Sequence, residues 1–172
     1  MKNWLISNAD LRLISNDYEF DWTIDKLFSN GIISPEDAYW KMYCMRFEYA
    51  DNLDCPFCKA IDKHYALNNE LWKCKNCAKN FTITSRTYID NTKLEYYHWV
   101  RFGYLIGELK ITNSCVIAKD LDITQKTAWN MIETLRIARK ETSNKKFVNG
   151  NEVLTFKHIY EPLKLLMKLK LK

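Results

Sequence analysis

The chain carries Cys55-Pro56-Phe57-Cys58 and, fifteen residues later, Cys74-Lys75-Asn76-Cys77. Each Cys-x-x-Cys pair can close a tight knuckle, and together the pairs bring four thiolates to one ion. Zn2+ suits such a donor set because it accepts four sulfurs tetrahedrally and has no redox chemistry of its own. Four protein thiolates fill the coordination shell and leave no position for water or substrate, so Cys55, Cys58, Cys74 and Cys77 read as structural metal ligands. A single Cys-x-x-Cys is equally a redox pair or two buried thiols; two pairs at this separation favour a shared ion.

The intervening residues agree with a ribbon. Lys63 to Leu67 can run as a strand, Asn68-Asn69 is turn chemistry, and Glu70 to Lys73 can return as a second strand. Phe81-Thr82-Ile83-Thr84 alternates apolar and polar with period two, as a half-buried third strand would. Two knuckles and three short strands describe a zinc ribbon. So small a unit has little core, and the metal would supply about 10–16 kcal/mol of its folding free energy. His64 is expected at the surface, because four cysteines complete the shell.

With 172 residues, 47% hydrophobic and 14% aromatic, the chain has enough apolar surface for a core and room for one domain or a few small modules. No apolar run reaches the length of a bilayer span, and the N-terminus lacks a signal-peptide layout. Cys44 and Cys115 have no partner by spacing, which together with four proposed zinc thiolates points to a reducing cytosol. Residues 1–54 hold 5 Lys+Arg against 10 Asp+Glu, whereas residues 55–172 hold 21 against 11. A basic body behind an acidic head calls for a polyanionic partner, nucleic acid first.

Residues 1–33 form an acidic, aromatic extension without a motif, read as packing rather than docking. Ser34-Pro35-Glu36-Asp37 opens a helix: Ser34 is the N-cap, Pro35 takes the first helical position, and two acids sit at the positive dipole end. Its stripe is Tyr39, Trp40, Tyr43, Cys44 and Phe47, and it is expected to buttress the ribbon. Thr92-Lys93-Leu94-Glu95 has the form of a capping box. The helix behind it places Trp99, Phe102, Leu105, Ile106 and Leu109 on one face. Gly103 and Gly107 on another face would admit a neighbouring backbone. His98 reads as an ordinary core or surface histidine.

Residues 112–140 form the second informative stretch. Asn113 or Ser114 caps a short helix bearing Val116, Ile117, Ala118 and Leu121; Asp122-Ile123 is a tight turn; Thr124 caps a second helix with Ala128, Met131, Ile132 and Leu135 inward. Small Ala118 and Ala128 permit a close crossing, the pattern of a helix-turn-helix whose second helix enters the major groove. The groove-facing residues are then Thr124, Gln125, Lys126, Thr127 and Asn130. Gln and Asn can pair bidentately with adenine, and Lys can reach guanine or a phosphate. Arg136, Arg139, Lys140, Lys145 and Lys146 can contact phosphates. Trp129 has two readings, packing on the preceding helix, which is favoured, or a groove contact. An ordinary helical hairpin is the plainer alternative for the whole segment. The tail after Gly150 and Pro162, with its Leu/Lys alternation, is either a basic amphipathic end or a loosely ordered terminus, the latter favoured.

Taken together, these features resemble the N-terminal region of bacterial insertion-sequence DDE transposases of the ISXO2-like type. The resemblance runs from Ser34-Pro35-Glu36-Asp37-Ala38 to about Lys140. It includes Cys55-Pro56-x-Cys58, Cys74-x-x-Cys77, Phe81-Thr82-Ile83-Thr84-Ser85-x-Thr87, Asn91-Thr92-Lys93-Leu94 and Lys126-Thr127-Ala128-Trp129. It implies recognition of terminal inverted repeats in double-stranded DNA, with a second copy or a separate transposase chain as partner, in a bacterial cytoplasm at the nucleoid. The family's nuclease holds two metal ions on three carboxylates. Here 32 residues follow Lys140, with Glu141, Glu152 and Glu161 and no Asp, so no paired-carboxylate site of that type has a place and no enzymatic activity is expected.

The reading is therefore a mainly α protein with a small β zinc ribbon followed by a helix-turn-helix module. Its expected parts are an extension (1–33), a helix plus ribbon (34–90), a DNA-binding helical module (91–146) and a basic tail (147–172). Transposition repressor and transcription regulator are both open roles. The rivals are a protein-interaction module for a host or phage factor on a transposase-derived scaffold, and a redox enzyme using Cys55 and Cys58.

Overall fold

The computed structural model describes residues 35–47, 53–68, 70–142, 161–168 and 170, and the side chains of Trp40, Cys44, Phe47, Thr142 and Glu161 fall outside that description. The chain divides into two compact units, Met1–Ser85 and Arg86–Lys172. The expectations for residues 1–33, Ser34, Asn69, Lys145, Lys146 and 147–160 lie outside the described residues.

In the first unit, helix α1 (Pro35–Phe47) begins on proline and two acids, as the chemistry of a helix N-terminus favours. Three short antiparallel strands follow in the order β1-β2-β3: β1 (His64–Ala66), β2 (Trp72–Cys74) and β3 (Asn80–Phe81). Tyr65 lies opposite Lys73, and Trp72 lies opposite both Ala66 and Phe81. The β1–β2 turn is closed by Asn68, whose Oδ1 accepts from the N–H groups of Glu70 and Leu71. The Trp72 ring stacks on Phe81 at 5.9 Å between centroids, and Tyr43 of α1 meets Trp72 at 6.3 Å. Tyr43 thus brings α1 against the Trp72–Phe81 face of the sheet.

All three strands are shorter than the sequence predicts. Thr82, Ile83 and Thr84 do not extend β3. The Ser85 N–H donates to the Thr82 carbonyl and the Thr82 N–H to Ser85 Oγ, folding them into a turn that buries Ile83. The period-two pattern there marks a buried turn residue flanked by hydroxyls.

The second unit has α2 (Tyr96–Gly107), α3 (Ser114–Asp120), α4 (Gln125–Thr142) and α5 (Glu161–Leu166). The core takes Trp99, Phe102, Leu105 and Ile106 from α2, Ile117 and Ala118 from α3, and Ala128, Met131, Ile132, Leu135 and Ala138 from α4. Helices α3 and α4 pack on each other, and Arg101 joins α2 to α3 through two bonds to Asp120, at 2.8 and 3.0 Å.

Several expectations for this unit are corrected. Thr92 does not cap α2, which begins at Tyr96 behind an extended Glu95 that makes no side-chain cap. The buried indole of Trp99 needs an acceptor, and its Nε1 donates to Thr92 Oγ1 at 3.1 Å. Leu109 leaves the α2 stripe because the helix stops at Gly107 and Lys110 adopts φ 56°, turning the chain away. Val116 is exposed, since a seven-residue helix buries only the side facing α4. Finally, residues 161–168 are an ordered part of the core.

There Pro162 lies in the first turn of α5, where a missing N–H costs no intrahelical bond. Leu163, Leu166 and Met167 are buried, the Leu166 carbonyl accepts from Tyr88 N–H, and α5 packs against α2 and α4. Gly103 makes room for α5: a Cβ there would lie 2.6 Å from Leu163 Cγ. The glycine on α2 therefore admits a leucine side chain rather than a neighbouring backbone.

Candidate functional site

The two Cys-x-x-Cys segments adopt the same backbone arrangement. In the first, Cys55 N–H donates to the Ala60 carbonyl (3.0 Å) and Lys59 N–H to the Cys55 carbonyl (2.9 Å); in the second, Cys74 N–H donates to Lys79 (3.0 Å) and Ala78 N–H to Cys74 (2.9 Å). The residue after each second cysteine, Lys59 or Ala78, has positive φ, 62° and 59°. This left-handed step turns each chain back so that both sulfurs of a pair point to one side.

The result is a cluster. Cys55 Sγ lies 3.7 Å from Cys77 Sγ and Cys58 Sγ 3.6 Å from Cys74 Sγ, and all four sulfurs lie within 4.8 Å of one another. All four are free thiols, not disulfides. The cluster can hold a metal ion.

Its electrostatics are uneven. Burial pushes the Cys55 thiol up to about 12, against the N–H groups of Cys58 and Phe57, which bond its sulfur and favour the thiolate. Cys58 is drawn down to about 6, chiefly by the Asn76 amide, which donates to its sulfur at 3.5 Å, and next by the Ala60 N–H. Asn76, inside the second pair, was not anticipated as a partner of the cluster; its place between two ligands was the available signal. His64 is half-buried, not a surface residue. Its ring meets Phe81 edge-on at 6.2 Å, and burial lowers its basicity.

In the second unit, α4 begins as its sequence predicts. Thr124 Oγ1 accepts from Thr127 N–H at 3.1 Å, and Asn113 Oδ1 caps α3 through Cys115 N–H at 2.8 Å. Asp122 makes the intervening turn with φ 52°, and Ile123 N–H returns to the Ala118 carbonyl. Thr124, Gln125, Lys126, Asn130, Arg136 and Lys140 are exposed, and Thr127 and Arg139 are half-buried. Arg136 pairs with Glu133 on its own helix. Trp129 does not pack on α3: its side chain is 53% exposed, because Ala128 and Met131 take the inward positions beside it.

Compared with known proteins, the chain matches no family model, no curated protein and no solved structure. Among the described residues, no helix is long and apolar enough to cross a membrane.

Proposed function

We propose that this chain is a zinc-containing, sequence-directed double-stranded DNA-binding protein, similar to a truncated or repurposed recognition region of ISXO2-like transposases. For the metal, the support is the sulfur geometry. A zinc tetrathiolate with bonds of about 2.3 Å has sulfur–sulfur edges of about 3.8 Å, close to the 3.6 and 3.7 Å pairs in a cluster whose sulfurs all lie within 4.8 Å. Bound zinc would act as a cross-link between the knuckles, and all four ligands come from the chain. The reading assigns no catalytic residue.

For DNA, the observation that carries the reading is the first turn of α4. Thr124, Gln125, Lys126 and Asn130 are solvent-facing at a capped helix N-terminus, while Ala128, Met131, Ile132 and Leu135 hold the opposite side in the core. Such a helix-turn-helix would read base edges with Gln125 and Asn130 and reach phosphates with Arg136, Arg139 and Lys140. With about six phosphates engaged, log affinity against log salt should fall with a slope near −5. Terminal inverted repeats of a related element are the proposed target, and a second copy or a separate transposase chain the proposed protein partner.

The test is selection of bound duplexes from a random library, followed by titration of the selected duplex with Gln125→Ala/Lys126→Ala. Loss of about tenfold or more in affinity, with relaxed sequence preference, is expected. Failure of the parent chain to enrich any duplex sinks the reading.

A second reading is a protein-interaction module. The composition of residues 1–33 favours it, because an acidic, aromatic segment suits a protein partner better than a polyanion. Unchanged duplex binding in the double variant would favour this alternative.

A further inference from the structure

The two faces of the β1-β2-β3 sheet differ in chemistry. One carries Trp72 and Phe81 and is covered by Tyr43. Alternation along the strands places Tyr65 on the other face, with Lys73 directly opposite and Asn80 beyond it. Lys75 N–H donates to the Lys63 carbonyl, continuing the same register, so Lys63 and Lys75 flank Tyr65 on one side and Leu67 lies on the other. Tyr65 is 43% exposed, Lys63 and Lys75 are exposed, and Lys73 is half-buried. Among the described residues, no carboxylate occupies a strand position of this face, and none of Lys63, Lys73 and Lys75 is in an ion pair.

The geometry points to a second nucleic-acid site: this open sheet face binds single-stranded nucleic acid, with a base stacked on Tyr65 and the adjacent phosphates held by Lys63, Lys73 and Lys75. An aromatic ring within a positive surface is the combination that single-strand binders use, since every base offers a π-face and every linkage a negative charge. Three strands spaced about 4.8 Å apart make a face about 10 Å wide, which accommodates one extended strand. A duplex keeps its base faces covered by their neighbours and cannot stack on Tyr65. Lys73 lies on β2 and Lys75 is the residue just past its end, so the two ammonium groups are separated by about 7 Å or less of backbone, on the scale of successive phosphates. The site lies on the first unit and does not depend on duplex reading by α4.

The experiment uses the full chain, zinc-loaded, carrying Gln125→Ala/Lys126→Ala so that α4 contributes little. A fluorescein-labelled twelve-residue oligothymidylate is titrated at low salt and followed by anisotropy. Binding is expected, and Tyr65→Ala or Tyr65→Leu should weaken it about 5- to 100-fold, whereas Tyr65→Phe stays within about twofold. Lys73→Ala/Lys75→Ala should reduce the steepness of the salt dependence by about 1.4 in log–log slope. Zinc content and far-ultraviolet dichroism unchanged in Tyr65→Leu tie the loss to the ring. The proposal is overturned if the oligonucleotide fails to bind, if Tyr65→Ala binds within twofold of its parent, or if polyglutamate at equal charge displaces the oligonucleotide as well as unlabelled oligothymidylate does. Duplex binding by the otherwise native chain should be indifferent to Tyr65→Ala, so the two readings fail separately.

Discussion

Lys59 and Ala78 both hold left-handed backbone, at φ 62° and 59°, and neither is glycine. An L-residue there carries a steric cost of about 1–2 kcal/mol, partly offset by the greater entropy that glycine loses on folding. Ala78→Gly should therefore stabilise the first unit by about 0.5–1 kcal/mol, read as a higher urea midpoint. Tyr88 is a second residue whose surroundings set its behaviour. Its hydroxyl donates to Glu141 Oε2 at 2.7 Å, and burial, then that bond and the carboxylate's charge, push its ionisation up to about 12. The raised value means that the contribution is complete below about pH 10, the ordinary tyrosine range, and is lost as pH climbs towards 12. Tyr88→Phe should cost the second unit about 1.5–3 kcal/mol at pH 7 and flatten that alkaline loss in a pH series of thermal unfolding.

Among the elements, α5 shows how a weak local pattern becomes ordered. Six residues cannot hold a helix alone; α5 persists because Leu163, Leu166 and Met167 are buried and because Tyr88 and Arg86 exchange backbone bonds with Leu166 and Lys170. Gly103 is the matching recess on α2. Gly103→Ala would gain about 1 kcal/mol of helix propensity, but its Cβ would sit 2.6 Å from Leu163 Cγ. The branch point of a buried leucine cannot yield as a flexible side-chain tip can. Overpacking of about 1–3 kcal/mol should win, lowering the second unit's melting temperature by several degrees, and Leu163→Ala in the same chain should relieve the clash. The elements most legible beforehand were α3 and α4. Asn113, Asp122 and Thr124 are local devices whose hydrogen bonds reach only a few residues, and the inward set Ala128, Met131, Ile132 and Leu135 follows helical period alone. Thr92 misled because its hydroxyl serves Trp99 Nε1, a partner seven residues away.

For the whole molecule, the division into two compact units predicts separate responses to removal of the proposed metal. The first unit's strands are two or three residues long and depend on the knuckles, whereas the second carries an apolar core without a metal cluster among its described residues. Chelation should unfold the first unit and leave the helical signal of the second largely intact, seen by dichroism and by protease resistance of Arg86–Lys172. The pairing of the four cysteines, the cap of α4 and the inward stripe of α4 were determined by sequence alone, because spacing and capping act over a few bonds of chain; for α3 the structure chose Asn113 over Ser114. Tertiary structure alone decided that Trp129 faces solvent, that Ile83 closes a turn, that Asn76 tunes Cys58, that Leu163 enters the space at Gly103, and that Tyr65 shares an open face with three lysines. Each of those depends on which distant surface arrives to bury or bond a side chain, and no period or local propensity encodes that arrival.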